Sequence, residues 1–209
     1  MKLGVISDVH GDPLALELAW SHLQILGAER ILCAGDVVGY GPHPDRIIAF
    51  LKKHAIPCVR GNHDRWALER PPGHPDEFGG GKPSAESLDF LRTLPRDLVV
   101  DLDGRIVVVV HGSPLSDMEY ITRRTHPREI LREYLSVLKA DVLISGHTHA
   151  AMTARCDLGL ILNPGSTLSL PVSRTSRTFA LIDLDTLAAT HHDVESGRVV
   201  KVEPWFLER

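Results

Sequence analysis

Cysteine is scarce in this chain: Cys33, Cys58 and Cys156 are the only three in 209 residues. They are too few and too scattered for a disulfide framework or a cysteine-built zinc site. Two of them lie in apparent strands, so they read as reduced core thiols of a cytoplasmic protein. Long apolar runs are also missing. No stretch approaches the roughly 20 residues that span a bilayer, and the N-terminus enters a strand at once, without the pattern of a secretory signal. Clustered positive charge is absent too. A formal net charge of −4 with no long Lys/Arg run gives no strong nucleic-acid signal and implies no membrane partner. Homo-oligomerisation is left open. Internal repeats, low-complexity tracts and linkers are lacking, which argues for one domain over 1–209.

The composition present is that of an ordinary soluble protein, 43% hydrophobic and 24% charged, long enough to bury a core without staples. Apolar runs at 3–7, 31–34, 106–110 and 142–145 read as buried strands, alternating with amphipathic helices. Asp12 can cap a helix with Pro13 at its first position, Leu16, Ala19, Leu23 and Leu26 on one face, and Gly27 as a stop. A second helix starting at Asp45 carries Ile47, Ile48 and Leu51. Residues 79–83, Gly-Gly-Gly-Lys-Pro, read as a flexible surface segment before a helix capped by Ser84. Past Gly146 short strands at 159–162, 178–184 and 198–203 suggest a second, mostly antiparallel sheet.

Five clusters of metal-ligand residues punctuate this pattern: Asp8-Val9-His10, Gly35-Asp36, Gly61-Asn62-His63-Asp64, His111-Gly112 and Gly146-His147-Thr148-His149. Four directly follow a strand-like run and Cys58-Val59 precedes the other, so a parallel sheet would gather them along one edge. Carboxylate and imidazole without cysteine suit divalent manganese, iron, zinc, cobalt or nickel. In extended backbone, residues two apart point to the same side, which would pair Asp8 with His10 and His147 with His149. Asp36 can bridge two ions, and Asn62 offers a neutral oxygen. Tyr40 and His43 stand where they can touch substrate, and Arg174 and Arg177 are candidate phosphate contacts. His22, His54, His126, His191 and His192 have no partner at ligand spacing and read as ordinary surface or core residues.

These clusters, in this order, resemble the signature of the calcineurin-like metallophosphoesterase superfamily. The runs 35–42, 111–114 and 163–166 resemble its small, single-domain prokaryotic phosphoesterase branch. That resemblance implies an α/β fold, a four-layer α-β-β-α sandwich of two packed mixed sheets, with a dinuclear metal site at the strand C-terminal ends. It implies that Asp8, His10, Asp36 and His149 hold one ion and that Asp36, Asn62, His111 and His147 hold the other, a hydroxide completing the bridge. Manganese is the first choice for both, with iron, zinc, nickel or cobalt as alternatives.

Two divalent ions less roughly three negative charges leave a site near +1, able to attract a small phosphoester. His63, unassigned to a metal, is the natural general acid for a leaving alkoxide, with Asp64 orienting its ring and raising its pKa; the resemblance implies the same role for His63. The resulting expectation is metal-dependent hydrolysis of phosphate esters, diesters before monoesters. A phosphomonoesterase acting on nucleotides, dinucleoside polyphosphates or phosphoproteins is the alternative within enzymes. A non-catalytic protein-interaction scaffold is the alternative of another class, disfavoured because every expected ligand is present. Asp12 departs from the Asn usual in that branch, and 167–171 departs from its common sequence; both bear on substrate identity.

Overall fold

A computed structural model describes residues 1–70, 79–168 and 177–205. Strand β1 (Lys2–Ile6) sends Leu3 and Val5 to one face and Ile6 to the other, as the period of two requires. A Cβ added at Gly4 would stand 2.9 Å from Leu23, so glycine lets the next helix lie close against the strand. Helix α1 (Pro13–Ile25) starts as expected: the Asp12 carboxylate accepts the Ala15 N–H at 3.1 Å with proline in the first turn. It is followed by β2 (Arg30–Cys33), α2 (Pro44–Lys53), α3 (Asn62–Glu69) and α4 (Ala85–Thr93). Next come β3 (Asp97–Leu102), β4 (Arg105–Val110), α5 (Arg128–Leu138) and β5 (Val142–Ile144). The described chain ends with β6 (Met152–Cys156), β7 (Gly159–Asn163), β8 (Thr178–Asp183), β9 (Ala188–Asp193) and β10 (Val199–Val200).

The strands form two five-stranded mixed sheets, ordered β10-β9-β8-β1-β2 and β3-β4-β5-β7-β6. Parallel pairing joins β1 to β2 in the first and β4 to β5 to β7 in the second. Leu3, Val5, Val107, Val109, Val142, Ile144, Leu160 and Ile182 form the core between the sheets. On the outer face of the first sheet Ile6 and Phe179 pack with Leu16, Leu23, Ile47 and Leu91 of α1, α2 and α4. Val108, Val110, Leu143 and Ile161 meet Leu131 and Leu135 of α5 on the outer face of the second. Helix, sheet, sheet and helix therefore make the four layers.

Three expectations need correction. The C-terminal strands do not make a separate antiparallel sheet: β6 and β7 complete one sheet while β8, β9 and β10 extend the other past β1. Strand pairing is a long-range choice that local pattern does not encode. Cys58-Val59 is no full strand but a single parallel bridge between Cys58 and Cys33. The segment 79–83 is tied down where Gly81 donates its N–H to the Gly41 carbonyl at 2.9 Å. Helices α3 and α5 and strand β3 were not anticipated.

Candidate metal centre

The five clusters meet where the C-terminal ends of the parallel strands of both sheets come together. The loops after β1 and β2 come from one sheet and those after β4 and β5 from the other. The Gly146 N–H donates to the His111 carbonyl at 2.6 Å, and the His147 N–H reaches the Asp8 carboxylate oxygens at 3.2 and 3.1 Å, lacing the two sheets' loops together. The backbone there is not extended. Asp8, His10, Asp36, His147 and His149 have φ of 53°, 47°, 53°, 66° and 56°, all left-handed. Asp and His enter that region more readily than β-branched residues, but each such residue stores strain. The same-side argument for residues two apart is thus replaced by a turn at each strand end, and the turn sends His147 and His149 to different partners.

His149 Nε2 lies 3.0 Å from His10 Nε2 and 3.3 Å from Asp8 Oδ1, and His10 Nε2 lies 3.6 Å from Asp36 Oδ2. On the other side His111 Nε2 lies 3.2 Å from Asp36 Oδ2 and 3.0 Å from Asn62 Oδ1, and the His147 ring packs 5.2 Å from that of His111. Asp8, His10 and His149 offer ligand atoms within 4.8 Å of one another, as do Asp36, His111 and His147, and as do His10, Asp36 and His63. Ligand atoms about 2.1 Å from one ion stand about 3.0–3.4 Å apart, so these spacings suit a coordination shell. The donor set fits divalent metal for a second reason: His147 Nε2 is buried and, among the described residues, has no hydrogen-bond partner.

Outer contacts fix the candidate ligands. His111 Nδ1 meets the Ala34 carbonyl at 2.7 Å and His10 Nδ1 meets the Val38 carbonyl at 3.1 Å. A protonated Nδ1 donating there leaves Nε2 as the free donor to a metal. Asn163 donates through Nδ2 to the Gly146 carbonyl at 2.6 Å, and Ser166 Oγ donates to the Asp8 carbonyl at 2.8 Å.

Burial sets much of the electrostatics. It pushes His10 down to about 4, keeping that ring neutral, and lowers His147 as well. For Asp36 burial acts in the opposite sense, but His111 and then His10 outweigh it and hold the carboxyl well below its usual range. Asp8 is likewise lowered against burial, by His149 and His111. His111 rises to about 10 despite its burial, because Asp36 and Asp8 favour the charged ring, and Asp8 raises His149 in the same way.

The His63 ring lies beside the cluster, its centroid 4.7 Å from that of His10 and 4.8 Å from those of Tyr40 and Trp66. Asp64, expected to orient that ring, has its carboxylate at the start of α3. Its carboxylate accepts the N–H groups of Val37, Val38 and Gly61 at 3.0, 3.0 and 2.9 Å. The reason is the unforeseen helix: at the third position of α3 the side chain turns back onto the helix start, and consecutive helical residues diverge by about 100°. Burial, then the Asp36 charge, raise Asp64 to about 7.

Tyr40 borders the site, 4.7 Å from the His10 ring and 6.3 Å from that of His149. His43 is exposed at the N-terminus of α2, its main-chain N–H donating to the Gly11 carbonyl. Arg177, a candidate phosphate contact, is ion-paired with Glu195, and Arg174 lies outside the described residues. Of the histidines set aside, His126, His191 and His192 are buried, His191 Nε2 bonding the Asn163 carbonyl and His192 stacking on Phe179, while His22 and His54 are half-buried. Sequence reasoning missed Tyr120, whose ring stacks on His147 with centroids 4.3 Å apart, and the bond from Arg65 Nε to Asp117 at 2.7 Å. No local signal marks either.

Residues 1–187 match the calcineurin-like phosphoesterase superfamily domain. A probable metallophosphoesterase of Methanothermobacter thermautotrophicus is 29% identical over 171 residues, 79% of this chain and 77% of that protein. Phosphodiesterase YfcE of Escherichia coli K12 is 26% identical over 199 residues, 90% of each. The crystal structure of a metallophosphoesterase from Sphaerobacter thermophilus is similar with a TM-score of 0.71 and 28% identity, over 93% of this chain and 88% of that one.

Proposed function

The chain belongs to the calcineurin-like phosphoesterase superfamily and is a metal-dependent phosphoester hydrolase, and from that premise we propose that its substrates are phosphodiesters. Asp8, His10, Asp36 and His149 would hold one divalent ion, and Asp36, Asn62, His111 and His147 a second. Manganese is the first choice for this oxygen and nitrogen set, with iron, zinc, nickel or cobalt compatible. The observation that carries the reading is that Asp36 approaches both histidine groups, standing 3.6 Å from His10 and 3.2 Å from His111.

When bound, such ions lower the pKa of a water and offset the charge of the phosphoryl oxygens. The protein's own part is to aim the ligands and to manage the leaving group. His63 delivers a proton to the departing ester oxygen. Asp64 acts one step back, holding Val37, Val38 and Gly61 so that α3 starts where Asn62 and His63 face the cluster. Tyr40 closes the side nearest His10 and His63. Two points support diesters: the Escherichia coli relative is named a phosphodiesterase, and Arg177, a candidate for the second charge of a terminal phosphate, is engaged by Glu195. Buried thiols at Cys33 and Cys58 suit a reducing compartment, and we place the enzyme in the cytoplasm. Among the described residues no helix is long and apolar enough to cross a membrane.

The test is hydrolysis of bis-p-nitrophenyl phosphate against p-nitrophenyl phosphate by chelator-stripped protein refilled with manganese, nickel, cobalt or zinc. Metal-dependent preference for the diester supports the reading. Preference for the monoester replaces it with a phosphatase, and silence on both with metals bound favours a scaffold.

A further inference from the structure

The loop 112–126, between β4 and α5, carries an aromatic surface beside the metal centre. Its first turn is fixed by Ser113, whose Oγ accepts the N–H groups of Leu115 and Ser116 at 3.0 and 3.2 Å and donates to Glu119. Its middle is clamped to α3, because Asp117 receives Arg65 Nε at 2.7 Å and Nη2 at 3.3 Å. From this braced loop Tyr120 lies over the His147 ring, centroids 4.3 Å apart and planes 27° from parallel. Tyr120 is nevertheless 53% exposed, and the same loop exposes Leu115 at 70% and Met118 at 41%.

A tyrosine that served packing alone would be covered, whereas one that served only solubility would not be laid on a buried histidine. Tyr120 thus combines a ring anchored on His147 with more than half of its surface open to solvent. An aromatic ring offers a flat partner a large stacking area at low entropic cost, and a loop already braced loses little further freedom on binding. Tyr40 flanks the opposite half, so aromatic rings border both sides of the cluster.

We propose that Tyr120 is the platform on which a flat aromatic substituent of the substrate stacks, a nucleobase or an aryl ring on the ester arm that stays on phosphorus. This rests on the phosphodiester reading above and names the class of diester. Base stacking on an aromatic side chain contributes enough that its removal costs about tenfold in kcat/KM.

Three diesters that release the same p-nitrophenolate separate the effects: the p-nitrophenyl esters of thymidine 5′-phosphate, phenyl phosphate and methyl phosphate. In the manganese-loaded wild type, kcat/KM should favour the thymidine ester over the methyl ester. Tyr120→Ala should reduce that ratio about tenfold, mainly through KM, and Tyr120→Phe should keep it. A phenyl ester that follows the thymidine ester extends the class to aryl groups, and one that follows the methyl ester confines it to nucleobases. An unchanged ratio, or an equal fall on all three esters, overturns the proposal and leaves Tyr120 as a support for His147. Wild-type hydrolysis of the methyl ester with no preference overturns it while sparing the diesterase reading. Inactivity on all three with metals bound removes both.

Discussion

The Asp36 carboxylate accepts the main-chain N–H of His63 at 2.8 Å through Oδ1, while its Oδ2 is turned toward His111 and His10. The proposed bridging ligand and the proposed acid are thus tied together through the backbone. One oxygen positions the start of α3 and the other is left for both halves of the cluster.

Asp36→Asn should therefore lose metal at both positions. The amide oxygen can still accept the His63 N–H, so the helix start survives, but an uncharged amide then faces the two histidines. Elemental analysis after loading should give less than one ion per chain, and two retained ions would contradict the shared role of Asp36.

His63→Ala should keep its metals and lose catalysis selectively. General acid assistance typically contributes about 10²–10⁴-fold. The loss should be large for diesters with alkoxide leaving groups and small for p-nitrophenolate, which departs without a proton. Equal losses for the two classes would count against the acid role.

Gly39→Ala tests how tightly the site is built. Residue 39 has φ of 125°, and an added Cβ would stand 2.6 Å from His10 Nδ1 and 2.8 Å from His63 Nδ1. Backbone strain of this kind costs about 1–3 kcal/mol. A lower denaturation midpoint together with reduced metal affinity is expected, and wild-type values for both would show that the loop moves freely.

Metal binding should release protons, from His111 and from His149, whose ring Asp8 also favours in the charged form. With His111 raised to about 10 in the metal-free protein, its ring is charged at neutral pH and must lose that proton to become a ligand. His10, lowered to about 4, has none to give. Affinity for metal should therefore climb as pH rises from neutrality toward about 10. Calorimetry in buffers of different ionisation enthalpy measures the release, and its absence at neutral pH would refute the assignment. The same shift affects metal-free stability with the opposite slope. Its folded value lies above the ordinary 6.5, so the contribution is complete below 6.5 and fades as pH rises through about 10.

Much of the fold was legible locally. The Asp12 cap, the Pro13 start and the Leu16, Ala19 and Leu23 face of α1 emerge as read, because capping and amphipathic period are properties of a few neighbouring residues. The short acidic and histidine clusters were legible for a similar reason: four of the five follow an apolar run that reads as a buried element. The direction of Asp64 was not, since it depends on a helix beginning at Asn62 that an eight-residue segment announces weakly. The Arg177 partner, Glu195, could not be read locally because it lies on the far side of a β-hairpin.

The chemistry could be read from the sequence: which side chains can donate to a divalent metal, and that four of the five clusters sit at the end of an apolar run. Residue type and local period suffice for that. It took the folded chain to bring the two sheets to one site, to place His149 beside Asp8 and His10 and His147 beside Asp36 and His111 by left-handed turns instead of extended backbone, and to lay Tyr120 on His147. Those outcomes are set by strand pairing, by left-handed turns and by contacts such as Arg65 with Asp117, between groups far apart along the chain.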